Sequence, residues 1–138
     1  MILLDTNIIS EMMKQSPSTK VIAWIDSQEV TQLFISTISL AEISYGIMAL
    51  PKGNRQRWLQ DAFDHVIKDA FKHRVLVFDE AAAHQYGHLM GNRKQLGRPL
   101  SILDGQIAAI AITQEAALAT RNIRDFVNCD LELINPFD

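Results

Sequence analysis

Five short apolar runs recur along the chain, separated by longer stretches with helical periodicity: residues 2–5, 33–36 (LFIS), 74–78 (RVLVF), 117–121 (ALATR) and 131–135 (LELIN). Each run is too brief for a core helix and too continuously apolar for a strand with one wet face. Buried parallel strands have this pattern, and parallel neighbours need a crossover, usually helical, between them. The intervening segments supply one. A short helix is predicted over about 7–14, capped by Thr6. A second opens on Ser16 and Pro17, a favourable N-cap and N1 pair. Leu40, Ile43, Ile47 and Leu50 recur at helical spacing, residues 54–71 carry another stripe, Asp79 caps a helix running to about Leu96 that Gly97 stops, and residues 102–116 are nearly all apolar and Ala-rich. The predicted fold is α/β, a three-layer α/β/α sandwich with a short, mainly parallel central sheet. At 138 residues the chain fits a single domain, 1–138.

Three acids violate this apolar pattern. Asp5 terminates the first strand, Glu42 lies within SLAEISYGIMAL, and Asp104 lies within ILDGQIAAIAI. A core-facing carboxylate is costly unless it is paired or binds a metal. No basic residue neighbours any of the three in sequence, so one shared divalent cation satisfies them more simply than three long-range arginines. Oxygen-only ligands suit Mg²⁺ or Mn²⁺. Taken singly, Asp5 and Asp104 also fit helix N-caps and Glu42 an exposed helix position. The fourth run ends in Thr120, Arg121 and Asn122, with Asp125 one turn on. Strands one and four would then deliver oxygens to one crevice at the carboxyl edge of the sheet. Gly105, Ala108, Ala109 and Ala111 let the Asp104 helix approach its neighbours closely.

A net charge of −3 excludes a broadly basic nucleic-acid coat, though not a local basic rim. Arg93, Lys94 and Arg98 precede the Asp104 helix; Lys52, Arg55 and Arg57 follow the Glu42 helix; Arg121 adjoins Asn122. These are the candidate phosphate contacts, with helix C-terminal charge and solubility as the alternative. The single cysteine, Cys129, rules out an intrachain disulfide and makes a Cys-based zinc site implausible. His84 and His88 lie one turn apart but lack a third ligand. The first apolar run stops at Asp5 without a basic flank, and no apolar stretch is long enough to span a bilayer, so a soluble cytoplasmic protein is expected.

Four segments, LLDTNIISE, ISLAEISYG, LDGQIAAIA and ATRNIRDF, together resemble the signature of PIN-domain proteins, in order and with the expected spacing across nearly the whole chain. The likeness is strongest to VapC-type ribonuclease toxins of bacterial toxin–antitoxin pairs, in particular their FitB-like branch, whose Asn-Pro-aromatic ending is similar to LINPFD here. The resemblance implies a Mg²⁺- or Mn²⁺-dependent endoribonuclease that leaves a 5′-phosphate and a 3′-hydroxyl, with a tRNA or rRNA substrate. Carried over by position, Asp5, Glu42 and Asp104 are metal ligands and catalytic residues, and Asn122 takes the fourth catalytic position, where relatives carry Asp or Asn. A neutral Asn122 puts a tightly held second metal in doubt. Thr6, Asn7, Thr120 and Asp125 are supporting residues. The implied partners are a cognate VapB-like antitoxin, a second copy of the chain in a homodimer, and operator DNA through the antitoxin only. Two alternatives remain. One is a PIN fold kept as a catalytically weak binding module. The other is a phosphatase of the haloacid-dehalogenase type, disfavoured because the first motif reads Asp5-Thr6-Asn7 and no acidic pair follows near the end.

Overall fold

A computed structural model describes all 138 residues. Five parallel strands, β1 (Ile2–Leu4), β2 (Leu33–Ser36), β3 (Val75–Leu76), β4 (Ala117–Ala119) and β5 (Leu133–Ile134), form one sheet in the order β3-β2-β1-β4-β5. β1 is central, with Leu3 opposite Phe34 on one side and Leu118 on the other. Period-two alternation then sends successive side chains to opposite faces. Leu4, Ile35 and Ala119 enter one apolar cluster, with Ile8 and Ile9 of α1 (Thr6–Met12), Val21 of α2 (Thr19–Asp26), Ile43 and Ile47 of α3 (Thr37–Met48) and Phe63 of α4 (Asn54–His65). Leu3 and Leu118 enter the other, with Leu89 of α5 (Glu80–Gln95), Ile107 and Ile110 of α6 (Ile102–Thr113) and Phe126 of α7 (Ile123–Phe126). Helices therefore cover both faces, which is why the strand residues lack a polar alternation.

Several boundaries differ from the sequence expectation, each for a local reason. α1 begins at Thr6 because Asp5, not Thr6, is its N-cap. α2 is capped by Ser18, whose hydroxyl accepts the Val21 N–H, so Ser16 and Pro17 lie outside the helix. The stretch 54–71 divides into α4 and a π-helical turn, Val66–Ala70. β3 keeps only two of the five residues of RVLVF. Arg74 instead turns its guanidinium onto the Leu33 carbonyl (2.8 Å) and those of Val30 and Ala70, pinning the sheet edge, and Val77 is exposed. Asp79 caps α5 as expected, and Gly97 follows it at φ 70°, a left-handed position that glycine adopts without strain. α7, four residues long, has too little sequence to show a period.

α5 and α6 pack tightly against each other. A Cβ at Gly105 would lie 2.5 Å from Met90 Sδ and 3.1 Å from the Tyr86 ring, so a larger residue there forces Met90 aside and shifts the turn that carries Asp104. Arg93 locks the far end of α5. Its side chain is buried and donates to the carbonyls of Val127 (2.6 Å) and Asp125 (3.2 Å), fastening the segment after α7. This corrects the reading of Arg93 as an RNA contact, because its side chain is buried and both terminal nitrogens are turned to backbone carbonyls, while its buried Nε–H has no partner. Lys94, one residue on, is exposed. Charge-assisted bonds to buried carbonyls are worth about 1.5–3 kcal/mol each way of counting. Arg93→Met is therefore expected to lower unfolding stability by about 2–3 kcal/mol in urea titrations, whereas Lys94→Ala should stay within about 0.5 kcal/mol of the parent.

Candidate active site

The strand order places a topological switch at β1. The chain leaves β1 toward β2 on one side, while β4 returns on the other, so the loops leaving the carboxyl ends of β1 and β4 diverge and open a crevice. Asp5 follows β1 and Thr120 follows β4, and the ladder continues between them, the Asp5 N–H donating to the Ala119 carbonyl at 2.9 Å. Asp5 is almost fully buried. Its Oδ1 accepts the Thr6 N–H (2.8 Å), which caps α1. Its Oδ2 accepts the Thr120 hydroxyl (2.8 Å) and the Asn7 amide (3.3 Å). Asp5 is thus both a cap and a cleft acid.

The supporting residues form two relays. Thr6 donates its only hydroxyl proton to Glu42 Oε1 (2.9 Å), so Ser39 must be the donor in its 2.8 Å contact with Thr6. Thr120, having donated to Asp5, accepts the Asn122 N–H (3.0 Å), and Asn7 Oδ1 accepts the Arg121 N–H (3.2 Å). Glu42 comes from the second turn of α3, whose start is fixed by Ser36 at the end of β2. Asp104 comes from the first turn of α6, where its N–H donates to the Ser101 hydroxyl (3.2 Å).

These elements enclose a cleft of about 410 Å³ lined by Asp5, Thr6, Asn7, Glu42, Asp104, Arg121 and Asn122, among others. Every predicted catalytic position therefore meets in one place. Asp125 and Arg98 line a neighbouring hollow that shares Asp104, while Lys94 lines neither. Sequence reasoning missed Glu11, which is buried in the cleft wall and paired with Lys14 (3.1 Å), and Phe137, whose ring lies 4.4 Å beneath the Arg121 guanidinium. The period of α1 signals Glu11, because it falls on the same face as Ile8. Phe137 carries no such signal.

Asp5, Glu42 and Asp104 form no ion pair with any Lys, Arg or His. Burial pushes the Asp5 carboxyl up to about 6; the bonds from Thr120 and Thr6 pull against it, and the charges of Asp104 and Glu42 add to the rise. Asp104 is also raised, first by burial, with Ser101 opposing and Asp125 adding. The carboxylates are not gathered tightly enough to form a ready-made coordination group. A set of uncompensated oxygen donors, strained by burial and mutual repulsion, nevertheless fits a hard divalent cation, which would relieve both penalties.

The raised Asp5 value has a stability consequence of definite sign. Between about pH 4 and pH 6 the native chain holds a proton that the unfolded chain has lost, so stability falls as pH rises through that window. Urea unfolding in EDTA should show the native state losing about 2–3 kcal/mol from this source between pH 4 and pH 7. Asp5→Asn should remove that part of the loss, leaving the contribution of Asp104, whose carboxyl is also raised by burial.

Comparison with known proteins bears on the family and the fold. The family model described as PIN domain matches residues 2–130. The chain is 39% identical over 138 residues to VapC ribonuclease Y4jK of Sinorhizobium fredii, covering 100% of this chain and 99% of that one. It is 35% identical over 137 residues to Toxin FitB of Neisseria gonorrhoeae, covering 99% of each. The solved structure of FitAB bound to an IR36 DNA fragment superposes with a TM-score of 0.92 at 35% identity, covering 100% of this chain and 96% of that chain. The chain belongs to the PIN-domain family, among its VapC- and FitB-type members.

Proposed function

We propose that this protein is a metal-dependent endoribonuclease acting as the toxin of a toxin–antitoxin pair in the cytoplasm, with a structured or single-stranded RNA, tRNA or rRNA, as substrate. One observation carries the reading: three carboxylates from sequence-distant elements line one cleft at the switch point without a cationic partner. Asp5, Glu42 and Asp104 would hold Mg²⁺ or Mn²⁺, with the Asn122 amide as a neutral fourth donor. When bound, the ion supplies positive charge to a phosphodiester under attack and makes water a better nucleophile. The chain's own residues do the rest. Thr120, Asn7 and the Thr6 N–H fix the Asp5 carboxylate and leave one Oδ1 lone pair uncommitted. Thr6 fixes Glu42, and its contact with Ser39 ties α1 to α3. Arg121 at the rim and Arg98 in the adjoining hollow are placed to meet backbone phosphates.

The relatives named VapC and FitB, and the FitAB complex on DNA, support a cognate antitoxin as partner, a homodimer, and operator DNA contacted through the antitoxin. A basic side chain from such a partner would neutralise the cleft and so block it. The competing reading, a catalytically weak binding module, draws on the neutral Asn122 and the open spacing of the acids.

Total bacterial RNA incubated with antitoxin-free protein should acquire discrete new 5′ ends in Mg²⁺ or Mn²⁺ and none in EDTA. Asp5→Asn and Asp104→Asn should each cut at least about 100-fold more slowly, the scale expected when a charged group stabilising the transition state is lost. An absence of cuts, with no heat of Mg²⁺ binding by calorimetry, would favour the binding module.

A further inference from the structure

Beside the acidic cleft, the end of α1 and the start of α4 enclose a second hollow of about 570 Å³ lined by Lys14, Gln15, Asn54, Arg55, Trp58 and Leu59. Its composition is unusual for a surface depression. Trp58 is 39% exposed and belongs to neither apolar cluster, so part of its indole face on α4 is open to the hollow. The Gln15 amide, the Arg55 guanidinium and the Trp58 indole N–H make no hydrogen bond within the chain, and Arg55 has no ion-pair partner. Asn54 accepts from Arg57, and Lys14 is paired with Glu11. An exposed aromatic face, a free amide and two cations are what a single-stranded nucleotide asks for: a stacking platform, a partner for the base edge, and charge for the phosphate.

The hollow is also connected to the cleft. Lys14 lines both, and a groove between α1, α3 and α4 runs from Thr6 and Glu42 to Arg55 and Leu59. Glu11, buried in the cleft wall, pairs with Lys14 and so holds that cation at the junction. We propose that this hollow is a nucleobase-binding subsite for the RNA strand whose scissile phosphate occupies the acidic cleft, with Trp58 stacking on the base, Gln15 contacting its edge, and Lys14 and Arg55 holding the intervening backbone. The proposal rests on the ribonuclease reading for its direction. It makes Trp58 and Gln15 determinants of which sequence is cut, at a distance from the chemistry.

The test separates binding from cleavage. A cleavage-silent Asp104→Asn chain in Mg²⁺ is titrated into a fluorescent, mixed-sequence single-stranded RNA, alone and combined with Trp58→Ala or Trp58→Phe; circular dichroism confirms folding. Trp58→Ala should weaken binding roughly 5- to 100-fold and Trp58→Phe about threefold or less, since phenylalanine keeps a stacking face. In the otherwise unaltered chain, Trp58→Ala should raise KM for RNA with kcat little changed, and Gln15→Ala should alter the base preference at a position removed from the cut. Equal RNA affinity with and without Trp58 overturns the subsite. So does unchanged RNA affinity combined with loss of a co-expressed antitoxin on purification, which makes the hollow a protein-docking surface. Trp58-dependent binding by a chain that cuts nothing upholds the subsite and overturns the ribonuclease reading instead.

Discussion

The hydrogen bond from the Thr120 hydroxyl to Asp5 Oδ2 joins two residues 115 positions apart, and much of the site depends on it. It exists because β1 and β4 are parallel neighbours, so that residues just beyond their carboxyl ends lie side by side. Parallel pairing of strands so remote in sequence needs both faces of the sheet covered, which the two apolar clusters achieve with helices from both halves of the chain. The site is therefore a product of the whole fold. Crowding the α5–α6 contact at Gly105 shifts the turn that carries Asp104, although Gly105 does not line the Asp5 cleft.

The cleft is a place where folding and chemistry pull in opposite directions. Asp5 is buried beside two further carboxylates, and both effects disfavour its charge. An apolar residue at position 5 would pack with less penalty, yet would remove the cap of α1 and the anchor for Thr120. Three donors converge on Asp5 and stabilise the carboxylate in part. The remainder of the penalty is a reserve from which a cation bound there would draw affinity.

Much of this could be read in the sequence, for identifiable reasons. Asp5, Glu42 and Asp104 are visible because each interrupts an apolar pattern, and the five strands because parallel strands lose the polar alternation that blurs other sheets. What was hidden depended on long-range geometry or on ambiguity within one turn. The Thr6–Ser39 contact spans 33 residues, and the Arg121–Phe137 stack joins a loop to the last turn of the chain. Arg93 looked like a solvated helix-end charge because sequence cannot show that carbonyls of Val127 and Asp125 wait opposite it. β3 looked longer because Val77 is apolar, although it faces water.

The positions of the cations complete the argument about the cleft. Two basic side chains line it, and either could have neutralised its acids. Lys14, in the turn after α1, is instead engaged by Glu11 three residues back. Arg121 is engaged by the Phe137 ring, with its backbone N–H tied to Asn7. A cation stacked on an aromatic face keeps its charge and most of its hydration, and is held at less cost than one dragged into a buried ion pair. The result is a surface where negative charge at the centre and positive charge at the rim coexist without collapsing together. On the proposed ribonuclease reading that separation suits a phosphodiester, whose backbone charges would seek the rim while the scissile group shared the centre with a cation. Had Arg121 paired with Asp5, the guanidinium would have had to shed its water to enter the cleft, and the cleft would be closed to ligands.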